Sequence, residues 1–205
     1  MRILKKLRLA LWLFVFLSVI AFGSEIWFRG FDLTSVSMDE IIDRESAELK
    51  TVEQGIKEAL VSDILPDTPI GGLRVSLDVD RVTFETSILD LPVELEYSFY
   101  KRELFYVKYR FYRGLITSQT HSEVAFSALS YQLSKKYGSP TDVGDGIVQF
   151  KQGDLLVVLE KLPSSSKLEI SYIILPVVER IIDTKFHELV LELFGTTLVE
   201  VDDVF

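Results

Sequence analysis

Along this chain the spacing of apolar positions changes period several times, and each change marks an element. Ser37-Met38-Asp39-Glu40 has the form of a capping box, with Ser37 placed to accept from a first-turn amide and Glu40 to reach back. Ile41, Ile42, Leu49, Val52, Ile56 and Leu60 follow at roughly helical spacing. This predicts one helix or two short ones across residues 38–62, with Gly55 as a weak point. Pro66, Pro69, Gly71 and Gly72 then predict a loop. Leu73 to Val79 and Val82 to Ile88 both alternate apolar and polar residues, but the apolar parity passes from odd to even at Asp80-Arg81. Such a switch calls for a tight turn or a bulge, because otherwise a side-chain face would turn toward water.

Pro92 to Tyr112 reads as a hairpin. Val93, Leu95, Tyr97 and Phe99 mark one face of its first strand, and Phe105, Val107, Tyr109 and Phe111 one face of its second. A turn at Lys101-Arg102-Glu103 pairs Phe99 with Phe105, Tyr97 with Val107, Leu95 with Tyr109 and Val93 with Phe111. The same register sets Glu96 opposite Lys108 and Glu94 opposite Arg110 on the outer face, so apolar and charge patterns agree. Thr120-His121-Ser122-Glu123 has the form of a second capping box, followed by the buried stripe Phe126, Leu129, Leu133 and Tyr137 and the stop signals Gly138 and Pro140. Ile147–Lys151, Leu155–Lys161 and Lys167–Leu175 form a meander turned by Gln152-Gly153-Asp154 and by Pro163-Ser164-Ser165-Ser166. Pro176 then opens a last helix on Val178, Ile181, Ile182, Leu189 and Leu193, ending at Gly195 before an acidic tail.

Hairpin-linked strands with helices between the groups predict an α+β fold. About seven antiparallel strands pack against helices that cover one face, with a C-terminal helix in addition. The order, helix then strands twice over, hints at two repeated units.

The first residues set the compartment. Arg2, Lys5, Lys6 and Arg8 precede Leu9 to Phe22, in which only Ser18 is polar. These are the basic and apolar regions of an export signal, and Ala21-Phe22-Gly23 satisfies the small-residue rule for cutting before Ser24. The competing reading is an uncleaved membrane anchor that takes in Glu25 and reaches Trp27 and Phe28. Both place the remainder outside the cytoplasm, either periplasmic or secreted, because the basic flank comes first. The expected organisation is therefore a signal or anchor at residues 1–23, an exported α+β domain at 24–175, and a C-terminal helix with acidic tail at 176–205.

Cysteine is absent, which rules out disulfides and a lipid-modified cysteine. Loss of residues 1–23 removes four basic residues and no acidic one, taking the net charge from −9 to −13. So acidic a surface repels nucleic acid, which is not an expected partner.

The hairpin residues Tyr97-Ser98-Phe99 and Leu104-Phe105-Tyr106-Val107-Lys108-Tyr109-Arg110-Phe111 resemble a family of small exported bacterial proteins built from helix-plus-hairpin units. The helix ending Lys135-Lys136-Tyr137-Gly138-Ser139-Pro140-Thr141 is similar to that family's usual ending, and Val36 to Ile42 is similar to its helix start without the preceding glycine. The layout is similar to β-lactamase-inhibitor-protein-like folds and to the small lipoprotein of the outer-membrane assembly machinery. The resemblance implies protein binding without an active site, and it carries over no functional residue.

Candidate chemistry is sparse. His121 sits in a first helical turn beside Glu123 and reads as an exposed residue. His187-Glu188-Leu189-Val190-Leu191 begins like a zinc-protease motif but has Leu191 where the second histidine must stand. Asp78-Val79-Asp80 and Asp142-Val143-Gly144-Asp145-Gly146 lack the glutamate a calcium loop requires and read as polar turns. No Gly-x-Ser-x-Gly elbow occurs, and Gly71-Gly72 lacks the context of a phosphate cradle. No catalytic, cofactor-binding or metal-binding residue is therefore assigned.

What stands out is the crowding of aromatic residues in one hairpin. Tyr100, Tyr106 and Tyr112 share a parity with Leu104, and the four form either an exposed interaction surface or a layer buried under a helix. The reading that follows is an exported, non-enzymatic protein that binds another envelope protein, with membrane attachment only through an uncleaved N-terminal segment. Two alternatives stand beside it. One is a small-ligand carrier with a cavity between sheet and helices. The other is an envelope hydrolase whose acidic residues assemble only in the fold.

Overall fold

A computed structural model describes residues 33, 35–61, 74–88, 91–111, 119–144, 146–161 and 168–194. Residues 1–23, expected to be an export signal or anchor, residues 62–73, expected to hold a loop, and the C-terminal tail from 195 lie outside the described residues. The elements are α1 (Met38–Glu45), a short 3-10 turn (Ser46–Glu48), β1 (Leu49–Val61), β2 (Arg74–Ile88), β3 (Leu91–Tyr100), β4 (Glu103–Phe111), α2 (Gln119–Tyr137), β5 (Thr141–Gly144), β6 (Ile147–Gln152), β7 (Leu155–Lys161), β8 (Leu168–Ile174) and α3 (Leu175–Phe194). The fold is α+β, with one antiparallel sheet of eight strands in the order β1-β2-β3-β4-β8-β7-β6-β5. Each half is a helix followed by a four-stranded meander, and the two halves join through β4 and β8.

Ser37 caps α1, its side-chain oxygen accepting from the Glu40 amide at 3.2 Å. The helix then stops at Glu45, and residues 49–61, expected to continue it, form the edge strand β1. The helical spacing was produced by bulges. Register shifts fall between Leu49 and Thr51 and between Glu53 and Ile56, so Leu49, Val52, Ile56 and Leu60 stand opposite Phe84, Val82, Val79 and Val75. A strand with two inserted residues thus spaces its apolar positions much as a helix does. Gly55 occupies the second bulge at φ +62°, a conformation only glycine adopts without penalty.

The parity switch at Asp80-Arg81 also has a different cause from the one expected. β2 is one continuous strand whose register with β3 is unbroken from Asp80 to Ile88. What changes is the face that is covered. We call the side bearing Tyr97 the front and the side bearing Glu96 the back. Val82 and Phe84 pair in the front row, whereas Val75, Leu77 and Val79 point backward, and all five are buried.

The front is covered by α1 and α2. Ile41 of α1 is fully buried, and the Tyr97 hydroxyl donates to the Glu45 carboxylate at 3.4 Å. Leu129, Leu133 and Tyr137 of α2 are buried over β6 and β7, and Tyr137 meets Tyr172 edge-on with centroids 6.4 Å apart. Gly138 ends α2 at φ +90°, its amide donating to the Ser134 carbonyl. The helix begins at Gln119, so Thr120 lies inside its first turn instead of capping it.

The back is covered at one end by α3. Val177, Val178, Ile181 and Ile182 are buried in the same core as the sheet, and α3 contacts β4 and β8. The Arg180 guanidinium donates to Glu103 at 3.1 Å and ties the helix to the β3–β4 turn. The sheet was expected to be covered on one face; instead its helices are divided between two.

Candidate functional site

The β3–β4 hairpin keeps the predicted register from Val93–Phe111 to Tyr97–Val107, but not at its tip. The turn consists of Lys101 and Arg102 alone, both at positive φ (50° and 70°), so that Tyr100 pairs with Glu103 and Phe99 with Leu104. Phe105 becomes an extra, buried residue, and the ladder resumes at Ser98–Tyr106.

This bulge separates the residues expected to share an outer face. Leu104 joins Phe99 on the front and is 3% exposed, while Tyr106 joins Ser98 on the back and is half-buried. Tyr100 is also on the back and 8% exposed, and Tyr112 lies outside the described residues. Of the two outcomes the sequence allowed, Tyr100 and Leu104 follow burial. Of the three described residues Tyr106 retains access to solvent; its hydroxyl shares a hydrogen bond with Ser171 at 2.7 Å, and the Lys108 ammonium sits 5.1 Å above its ring.

Beyond the end covered by α3, the back face is a ladder of ion pairs across β1, β2, β3, β4 and β8. Glu96, 2% exposed, lies between Arg81 (3.4 Å) and Arg110 (3.1 Å). Arg110 also meets Glu94 at 2.8 Å and Glu169 at 3.4 Å, and Lys108 turns to Glu169 at 3.6 Å instead of to Glu96 opposite it. Arg81 reaches Glu58 at 2.8 Å and Glu53 at 3.8 Å. At the far side Glu85 and Glu94 are cross-strand neighbours, like charges held together by Lys50 at 2.7 and 3.1 Å.

A second like-charge pair, Glu160 and Glu169 across β7 and β8, has no such bridge. The cations near it are engaged by Glu169, and Glu160 has no ion-pair partner among the described residues. Partial burial and the neighbouring Glu169 raise the Glu160 pKa against the pull of Lys108. Burial acts to lower the pKa of Arg110, but Glu96, Glu94 and Glu169 outweigh it and the net shift is upward. At Lys108 burial is likewise outweighed, by Tyr106 and Glu169. The ladder sets Lys50, Arg81, Lys108 and Arg110 against Glu53, Glu58, Glu85, Glu94, Glu96, Glu160 and Glu169, so carboxylates are in excess. Its outer members are open to water, with side-chain exposures of 58% at Glu85 and 33% at Arg110.

The sequence pattern revealed the Glu94, Glu96, Lys108 and Arg110 core of this ladder. It did not reveal Arg81, Lys50 or Glu169, which join through the pairings of β1 with β2, β2 with β3 and β4 with β8. Of the weaker candidates, His187 is exposed on α3 with Leu191 one turn on, and the His121 side chain lies outside the described residues. Asp78 pairs with Lys57, and Asp80 accepts from the Gly55 amide. Among the described residues no group of three or more His, Cys, Asp or Glu converges as a metal site, and no helix is long and apolar enough to cross a membrane. Comparison with protein families, curated proteins and solved structures finds no match to this chain.

Proposed function

We propose that this is an exported, non-enzymatic binding protein that engages a basic surface of another envelope protein through the charged half of its back face. The observation that carries this reading is the inequality of the two faces. The front lies under α1 and α2, whereas the back has α3 at one end and an ordered, carboxylate-rich ladder over the rest. Side chains held by several ion pairs are ordered before a partner arrives, which lowers the entropy lost on binding. An excess of carboxylates steers a cationic surface toward them and repels anionic ones. Export rests on Arg2 to Arg8 followed by the apolar run to Phe22.

The test uses a photo-reactive amino acid at Glu85, on the ladder, and at Tyr131, exposed on the outer side of α2. A discrete adduct from position 85 that is missing from position 131 and weakens with added salt supports the proposal. Equal labelling from both positions, or adducts indifferent to salt, overturns it.

A further inference from the structure

The C-terminal half of α3 does not share the burial of its first half. Val178 and Ile182 are buried, yet Phe186 and Leu189 are each 38% exposed. Ile182, Phe186 and Leu189 recur with the alternating steps of four and three that form a coiled-coil seam, and Leu193 continues the spacing in the sequence. Glu192 stands in the last turn, where the helix dipole disfavours a carboxylate, and no basic residue accompanies it there. No ion pair engages Glu192 among the described residues. One turn before the exposed Leu189, Lys185 pairs with Glu188 at 2.7 Å and lies within electrostatic reach of Tyr100 and Asp78.

We propose that α3 pairs antiparallel with α3 of a second copy of this chain about a two-fold axis. Laying Phe186 against Leu189 of the second copy makes the seam self-complementary, as an isologous contact requires. In that register Lys185 of each copy flanks the seam beside Glu192 of the other, so both last-turn carboxylates gain a cation. Antiparallel packing also opposes the two helix dipoles favourably. A parallel pair would leave Lys185 facing Val190 and Glu192 without a partner, so the charges select the antiparallel arrangement. The other exposed apolar residues do not offer a comparable site. On β1 the exposed Leu49 and Val52 share one face, but bulges on either side of Thr51–Glu53 break the regular edge that a second β1 strand would need.

The chain has no cysteine, so introduced thiols report alone. Two tagged full-length copies, one Phe186→Cys and one Leu189→Cys, are co-expressed and oxidised in cells. The mixed disulfide is expected, whereas Tyr131→Cys copies on the outer side of α2 remain unlinked. Lys185→Glu alone and Glu192→Lys alone are each expected to weaken dimerisation of the purified full chain, read by sedimentation in detergent, by roughly two- to thirtyfold. Combining them restores the charge pair with reversed sign and recovers dimerisation. The restoration separates an interface from the local Lys185–Glu188 contact, which cannot account for it. Circular dichroism of each variant checks that α3 stays folded. Equal linking at 131 and at 186/189, no effect of the single reversals, no recovery in the double variant, or capture of a different protein by the α3 thiols each overturns the proposal.

Discussion

The Gly55 amide donates to the Asp80 carboxylate at 3.0 Å, and this contact marks the row where the sheet changes the face it buries. Before it, Leu49 and Val52 stand beside Phe84 and Val82 in the front row; after it, Ile56 stands beside Val79 at the back. β2 makes the change without distortion, burying Val75, Leu77 and Val79 on its back and Val82 and Phe84 on its front. β1 makes it by inserting a residue, and the bulge keeps its apolar positions in step with those of β2.

Replacing Gly55 tests that bulge. A Cβ there would meet nothing within 4 Å, so the penalty comes only from the left-handed backbone at φ +62°. Gly55→Ala is expected to lower unfolding free energy by about 1–2 kcal/mol, and Asp80→Ala by about 1 kcal/mol. Urea titration reads both. The double variant should lose less than the sum, because a bulge no longer held by Asp80 can relax the left-handed backbone at position 55.

Glu96 offers a sharper loss. Its carboxylate is nearly inaccessible and touches two guanidiniums, Arg81 and Arg110, which are themselves about a fifth and a third exposed. Glu96→Ala removes the central anion and leaves both cations facing a cavity. The expected cost is about 2–3 kcal/mol, below that of a fully buried pair because water can reach the guanidiniums. Glu53→Ala, at the exposed rim of the same ladder, should change stability by only a few tenths of a kcal/mol. Similar losses from both in chemical denaturation would mean that the ladder has no energetic centre.

These contrasts show how much of the molecule was legible beforehand. Contacts within one hairpin were readable, because Val93 to Tyr97 and Val107 to Phe111 carry apolar and charge patterns that agree. The hairpin tip was not, since a two-residue turn followed by the Phe105 bulge restores the same register as a longer turn without one. β1 carries a helical spacing for the same physical reason, bulges that mimic another period. The candidate surface was half visible. Glu94 and Arg110 declare themselves, whereas Glu169 and Arg81 join only when β8 docks on β4 and β2 on β3.

Glu160 should respond to pH in the opposite sense from a salt-bridged carboxylate. Its folded pKa is raised by burial and by Glu169, so the folded state binds its proton more tightly than the unfolded chain does. Its contribution is therefore most favourable at acid pH and declines as pH rises from the unfolded value, about 4.3, through the raised folded value. At neutral pH the ionised group is a small liability, screened in part because its burial is incomplete. Glu160→Gln is expected to stabilise the protein by a few tenths of a kcal/mol at pH near 7, with the gain vanishing below about pH 4. Thermal unfolding of both proteins across that range checks the sign, and a gain that grows on acidification would contradict it.

Lys101 and Arg102 give the remaining test, in which a substitution improves the fold. Both occupy left-handed backbone, at φ 50° and 70°, which side chains other than Gly, Asn and Asp adopt at a cost. Asn-Gly is the pair such a two-residue hairpin turn favours. Replacing Lys101 also removes an exposed cation–π contact with Tyr100 at 5.2 Å, a loss of about 0.5 kcal/mol. Arg102→Gly alone should raise unfolding free energy by about 1 kcal/mol. Lys101→Asn with Arg102→Gly should add little more, because the lost ring contact offsets the relief at position 101. Urea midpoints of the single and double variants measure this. Destabilisation by Arg102→Gly would instead favour a longer turn through Glu103, with Phe105 paired opposite Phe99 in the ladder.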